Sequence, residues 1–172
     1  YSLSILVFTI IAALIIYFRV DITDSSIAHP MVWGKLESAI RHSLFQVLTI
    51  VKTTGFISAD YTTWTPFLTI SFFCLMFLGG SAGSTAGGIK IMRHLIMIKN
   101  GVLEFRRTLH PRAILPVRYN MKAVPQPIVF NILGFFILYM LSFIIGTLVF
   151  SLLGLDFSTA LGGAASTLGN IG

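Results

Sequence analysis

Residues Ser38 to Val51 form an apolar segment of fourteen residues that runs straight into Lys52-Thr53-Thr54-Gly55-Phe56. As a helix the segment would rise about 21 Å. The hydrocarbon core of a bilayer is roughly 30 Å thick and takes about 20 residues to cross. The segment can therefore enter a membrane but not leave it on the far side. Thr-Thr-Gly is suited to turn the chain, with Thr53 to Ile57 returning extended. Extended backbone at that depth is tolerated only where it is buried in protein or lines water. A row of carbonyl oxygens beside water is the form a cation filter takes, so this stretch sets the expectation of a cation pore.

The composition agrees with a membrane setting. The chain of 172 residues is 55% hydrophobic and 10% charged, with a mean hydropathy of +0.88, outside the range of soluble domains. Tyr1 in place of Met, and a stop at Gly172 in mid-pattern, point to a piece of a longer protein. Tyr1 to Phe18 lacks a basic front and a small-residue cleavage site, so it is not read as a signal peptide. Cys74 is the single cysteine, which excludes an intrachain disulfide. Between Lys90 and Lys122 eight cations stand against Glu104 alone, while the remainder carries a net charge of −1. A basic block between apolar segments marks the cytoplasmic side. Flanked as it is by membrane segments, the block does not argue for a nucleic-acid partner.

In chain order, Tyr1 to Phe18 is expected to span and to run outward. Arg19 to Lys35 reads as an external loop. Arg41 and His42 should stay at the interface, and Ser58 to Thr63 should resurface. Thr65 to Ile98 is a second apolar run, broken by Gly79-Gly80-Ser81-Ala82-Gly83-Ser84-Thr85-Ala86-Gly87-Gly88. Each glycine costs about 1 kcal/mol relative to Ala in a helix, so the run predicts an interrupted helix with its break beside the pore. Lys99 to Pro127 is the connector. Ile128 to Leu153 is expected to span again, and Phe157 to Ser166 to form a short helix ending in Thr167-Leu168-Gly169-Asn170. Both halves thus read long helix, external turn, short helix, Thr-x-Gly, with Gly55 aligned on Gly169. The resulting class is an all-α membrane protein built of helix–re-entrant pore helix–helix repeats of potassium-channel type.

Each motif has a plainer alternative. Gly after a short helix is also an ordinary C-cap, but two copies after two short apolar helices favour a pore. Carbonyls can line one axis only if the backbone alternates between normal and positive φ, which Gly permits. Each short helix also aims its negative end at the ion path. Lys52 beside such a filter is awkward; it could sit behind the filter at the helix end or pair with a carboxylate. The Gly-rich run is not a Walker loop, because Gly88 is followed by Ile89 and Lys90 rather than by Lys-Ser/Thr. Gly79-x-x-x-Gly83-x-x-x-Gly87 could instead pack two helices closely. His29, His42, His94 and His110 lack metal spacing and are expected to be solvated or interfacial. The spans Tyr1–Phe18 and Ile128–Leu153 carry no acid or base, which excludes a proton relay through them and argues against a membrane-embedded enzyme.

Gly79 to Lys90, with Arg93 beyond, resembles the third-repeat inner helix of the Trk/Ktr/HKT potassium transporters, most nearly their bacterial Trk branch. Thr53 to Phe56 resembles that repeat's filter, and Thr167 to Asn170 the filter of the fourth. The resemblance covers the whole chain and implies four such repeats around one ion path. It implies a third pore repeat over 1–98, a basic cytoplasmic connector over 99–126, and the first part of a fourth repeat over 127–172. Thr53, Thr54, Gly55 and Phe56, with Thr167, Leu168, Gly169 and Asn170, would supply oxygens to K+, the transported ion. Residues 79–88 would form an intramembrane gating loop, with Lys90 and Arg93 on its cytoplasmic side. The family further implies potassium uptake across the cell inner membrane without covalent chemistry or a covalently bound cofactor. Its implied partners are a second copy in a homodimer, a cytosolic nucleotide-binding regulatory subunit, and membrane lipid at the connector. A sodium-passing channel of the same re-entrant kind and a purely helix-packing subunit remain as alternatives.

Overall fold

The structure, a computed structural model, describes residues 2–20, 34–81, 83–109 and 115–172. Among these, the helices are α1 Ser2–Arg19, α2 Lys35–Val51, α3 Pro66–Met76, α4 Ile91–Leu109, α5 Gln126–Leu152 and α6 Phe157–Gly169. Two-residue strands add two small pairs. β1 Leu78–Gly79 runs parallel to β2 Ile89–Lys90, and β3 Arg118–Tyr119 runs antiparallel to β4 Lys122–Ala123. The external loop expected over Arg19 to Lys35, and His29, Ala82, His110 and Arg112 with it, lie wholly or largely outside the described residues.

The long-then-short pattern holds only in the second half: α1 has 18 residues and α2, longer than expected, has 17. α5 has 27 residues and, among the described residues, is the one helix both long and apolar enough to cross a membrane. Pro127 stands in its first turn, where a missing N–H leaves no bond unmade. α6 has 13 residues, about 20 Å at the helical rise. It is capped by Asp156, whose carboxylate accepts from the Thr159 N–H at 3.3 Å, the Thr159 hydroxyl at 2.6 Å and the Ser158 hydroxyl. These donors favour the ionised form and hold the Asp156 pKa down to about 2, from 3.8.

α2 begins at Lys35, one turn before the expected Ser38, and the added turn carries an Arg41–Glu37 ion pair of 3.3 Å. Its inward face is polar: Ser38, His42, Ser43, Gln46 and Thr49 are buried together with Ala39, Val47, Ile50 and Val51. His42 is therefore not solvated. It is 2% exposed, and its Nδ1 lies 3.1 Å from the Ser58 hydroxyl on the returning chain. A polar side chain at that position buys helix-to-return contact rather than contact with lipid. His94 likewise faces protein, 3.1 Å from the Phe77 carbonyl.

One core serves both repeats. Ile16 of α1, Val47 and Ile50 of α2, and Leu68, Phe72 and Met76 of α3 share a buried cluster with Ala165 and Ile171 of the second repeat. Phe72 lies at its centre, fully buried, with its ring edge-to-face against Phe8, Tyr61 and Trp64 at centroid separations of 6.0, 5.5 and 5.9 Å. α5 joins through Phe143, 5.2 Å from the Phe77 ring. A second cluster, Ile96, Val117, Val129 and Ile132, ties α4 and α5 to the connector. There α4 continues to Leu109, so the first part of the 99–126 stretch is helical. Basic side chains fasten the rest: Arg107 donates to the Leu115 carbonyl at 2.6 Å and Lys99 to the Arg118 carbonyl at 3.0 Å.

Two outcomes follow for the full-length protein. Phe72→Ala should cost about 3–5 kcal/mol through lost burial and the cavity left behind, read as a lower melting temperature in detergent; an unchanged melting temperature would contradict the shared core. The carboxyl of Asp156 should titrate near 2 rather than 3.8 in a carbon-13 NMR titration. Because the folded pKa is the lower one, the cap's contribution is complete above about pH 4 and is lost as pH falls toward 2.

Candidate functional site

Lys52 closes α2, its N–H reaching the Leu48 carbonyl at 2.9 Å. The backbone then changes hand. Thr53 has φ +54 and Gly55 φ +80, while Thr54 between them stays in the ordinary region. The Thr54 N–H donates to the Thr49 carbonyl at 2.8 Å. The backbone thus alternates between positive and ordinary φ over three residues. Residues 54–57 leave the turn without regular secondary structure, and the left-handed Thr53 and Gly55 mean that Thr53 to Ile57 is not extended throughout.

The same turn recurs after α6. Asn170 has φ +53 and Gly172 φ +106, with Ile171 between them in the ordinary region. The Ile171 N–H donates to the Ser166 carbonyl at 3.0 Å, as Thr54 does to Thr49. Thr53, Thr54 and Gly55 are thus matched by Asn170, Ile171 and Gly172. The register that sets Gly55 over Gly169 is three residues out. Thr167, Leu168 and Gly169 form the last turn of α6, and the Thr167 hydroxyl is spent on the Gly163 carbonyl at 2.8 Å. The reason is local. Asn tolerates the left-handed region better than other non-glycine residues, so the helix ends at Asn170 rather than at the preceding Gly. Ser166 opposite Thr49 was the sequence signal for this register.

The two turns touch. A Cβ at Gly55 would overlap the Ile171 carbonyl oxygen and lie 3.3 Å from the Gly172 Cα. With its positive φ, this makes Gly55 a position for glycine on two counts.

Residues 79–90 are neither a helix nor a helix-packing stripe. The chain leaves α3 at Met76, passes through β1, loops out and returns beside itself as β2 before α4. Gly79, Gly80, Ser81, Gly83, Ser84, Thr85, Ala86, Gly87 and Gly88 lie on this excursion. The loop reaches both turns: the Gly87 N–H donates to the Thr53 hydroxyl at 3.2 Å, and a Cβ at Gly87 would overlap the Gly169 carbonyl oxygen and lie 2.9 Å from the Asn170 Cβ. Lys90 turns its ammonium into the loop, donating to the Ser84 carbonyl at 2.8 Å and to the Ala86 carbonyl. Arg93 stacks over the Phe135 ring of α5 at 4.2 Å. Lys52 borders a hollow between α1 and α2, with Ile5, Thr9 and Leu48.

Electrostatically the site is built from dipoles. The carbonyl ends of α2 and α6 both run into the turns, and such ends carry partial negative charge that favours a cation. Among the described residues, no three His, Cys, Asp or Glu side chains converge as a metal site.

The sequence model of the family described as "TrkH: Cation transport protein" matches residues 1–172. The chain is 32% identical over 167 residues to the Trk system potassium uptake protein TrkH of Salmonella typhimurium, covering 97% of this chain and 32% of that protein. It is 36% identical over 138 residues to the Trk system potassium uptake protein TrkG of Escherichia coli, covering 80% of this chain and 28% of that one. The crystal structure of the potassium transporter TrkH from Vibrio parahaemolyticus superposes with a TM-score of 0.82 at 30% identity, over 98% of this chain and 34% of that chain. The chain spans about a third of the length of these relatives.

The contact between loop and turn has a direct test. Thr53→Val keeps the shape but leaves the Gly87 N–H without its acceptor, at a cost of about 1–3 kcal/mol. Hydrogen exchange of the Gly87 amide should speed up in Thr53→Val and stay slow in Thr53→Ser. An unchanged rate in Thr53→Val would show that the bond is not made.

Proposed function

This chain belongs to the TrkH family of cation transport proteins, and we propose on that basis that it forms part of a potassium-uptake pore in the cell inner membrane. Residues 1–98 are the third pore repeat, 99–126 a basic cytoplasmic connector, and 127–172 the first part of the fourth repeat. The observation that carries the reading is the repeated turn. α2 and α6 are each followed by the same alternation of φ, and the two turns meet at Gly55.

In this reading K+ sheds its water shell and is held instead by backbone oxygens. The carbonyls of Thr53, Thr54, Gly55 and Phe56 serve from the third repeat. Asn170, Ile171 and Gly172 serve from the fourth, in place of the helical Thr167, Leu168 and Gly169. The dipoles of α2 and α6 offset part of the cost of removing water. No bond is made or broken, so the chain is not an enzyme. Residues 79–88 close the path from below, Gly87 being pressed against both turns. Opening requires the loop to leave Thr53 and the Gly169 carbonyl. Lys90 keeps the loop's shape by gathering its carbonyls, and Arg93 anchors α4 on α5.

The names of the relatives describe a Trk system, which supports association with other Trk components. A homodimer is the expected assembly. The basic connector is the contact for a cytosolic nucleotide-binding regulatory subunit and for anionic lipid.

Gly55→Ser in the full-length protein should lower the K+ over Na+ uptake ratio by about tenfold, equivalent to about 1.4 kcal/mol. Gly172→Ser should do the same, whereas Leu168→Ala should leave the ratio unchanged. Unchanged selectivity in folded Gly55→Ser and Gly172→Ser proteins would overturn the assignment.

A further inference from the structure

A half-open cavity of about 240 Å³ lies against the paired turns. Gln46 and Thr49 line it from α2, Ser166 from α6, Tyr61 from the segment after the return, and Gly55 and Gly172 from the turns themselves. Gln46 is 2% exposed and Thr49 6%. Among the described residues, Gln46 Oε1 and Thr49 Oγ1 have no hydrogen-bond partner. They stand three residues apart, on one face of the helix. Buried polar atoms are as a rule bonded to protein or ordered water.

The matching position in the other repeat supplies a contrast. Ser166 takes the place of Thr49, and its hydroxyl donates to the Gly172 carbonyl at 2.9 Å. On that side a pore-helix hydroxyl restrains the turn directly. On the Thr49 side the same chemistry is aimed into the cavity. A buried water needs about 10–15 Å³ of such volume and two to four polar partners, so several fit. Neutral oxygens without a carboxylate suit water better than a divalent metal ion.

Resting on the filter reading above, we propose that this cavity is a buried water site. Ordered waters bridge Gln46 Oε1 and Thr49 Oγ1 to the backbone at Gly55 and Gly172. Gln46 and Thr49 are then positioning residues, which set ion selectivity by restraining the filter backbone from behind. The two repeats hold their turns by different means, one through a direct hydroxyl and one through water. Loss of the water-mediated restraint lets the oxygens draw in around a smaller ion.

The test uses the full-length protein, with Gln46→Met and Thr49→Val as apolar near-isosteres and Thr49→Ser as the conservative control. Folded Gln46→Met and Thr49→Val should lower the K+ over Na+ flux ratio by roughly three- to tenfold, the equivalent of one lost hydrogen bond, and Thr49→Ser should keep it. High-resolution density for the parent should show waters within hydrogen-bond distance of both oxygens, and these waters should be absent from Thr49→Val. A merely structural role would lower stability and total flux without moving the ratio. Unchanged ratios in the folded variants, or a side chain from elsewhere in the protein filling the cavity, would overturn the proposal. Should Gln46→Met fail to fold, the Thr49→Val and Thr49→Ser pair together with the water density decides. A parent protein with no preference for K+ would overturn the filter reading itself. A selective parent with unchanged variants would overturn only the water site.

Discussion

Backbone N–H and C=O groups that leave a helix at membrane depth must find partners inside the protein, since lipid offers none. This constraint shapes nearly everything around α2 and α6. Both helices need a turn whose polar groups are satisfied by the protein or turned toward a path for water and ions. The bonds from Thr54 to Thr49 and from Ile171 to Ser166 are the common solution. They tie the first groups beyond each helix back onto its last turns.

Placing two such turns side by side requires small residues, because backbone meets backbone. Gly55 lies against Ile171, and Gly87 against Gly169. A side chain at either position would push the repeats or the loop apart. The loop is thus tied to the turns by steric fit as well as by its bond to Thr53. The polar inner face of α2 belongs to the same design: Ser38, His42, Gln46 and Thr49 are buried where a lipid-facing helix would present apolar side chains.

The sequence made the architecture legible through composition and charge. A glycine-dense break and one basic block between apolar runs pointed to a helical membrane protein, and the motif from Gly79 to Lys90, with Arg93 beyond, pointed to the family. It did not make the second turn legible. Thr167-Leu168-Gly169 looks like Thr53-Thr54-Gly55 in one dimension, but Asn170 can adopt the left-handed conformation and let the helix run one turn further. The burial of His42 was hidden for a related reason, because its partner Ser58 lies on the returning chain sixteen residues away. The start of α2 was missed because Lys35 and Glu37 look like loop residues until Arg41 is seen to pair with Glu37. In each case a tertiary contact or a conformational tolerance decided what local composition left open.

The central claim is that a dehydrated monovalent cation is held between the two turns. Anomalous difference density from the full-length protein soaked in Rb+ or Tl+ tests it most directly. The account predicts a peak at the level of Gly55, within coordination distance of carbonyls from both Thr53–Gly55 and Asn170–Gly172. A peak only at the level of Thr167–Gly169, or only for an ion that keeps its full water shell, would contradict it.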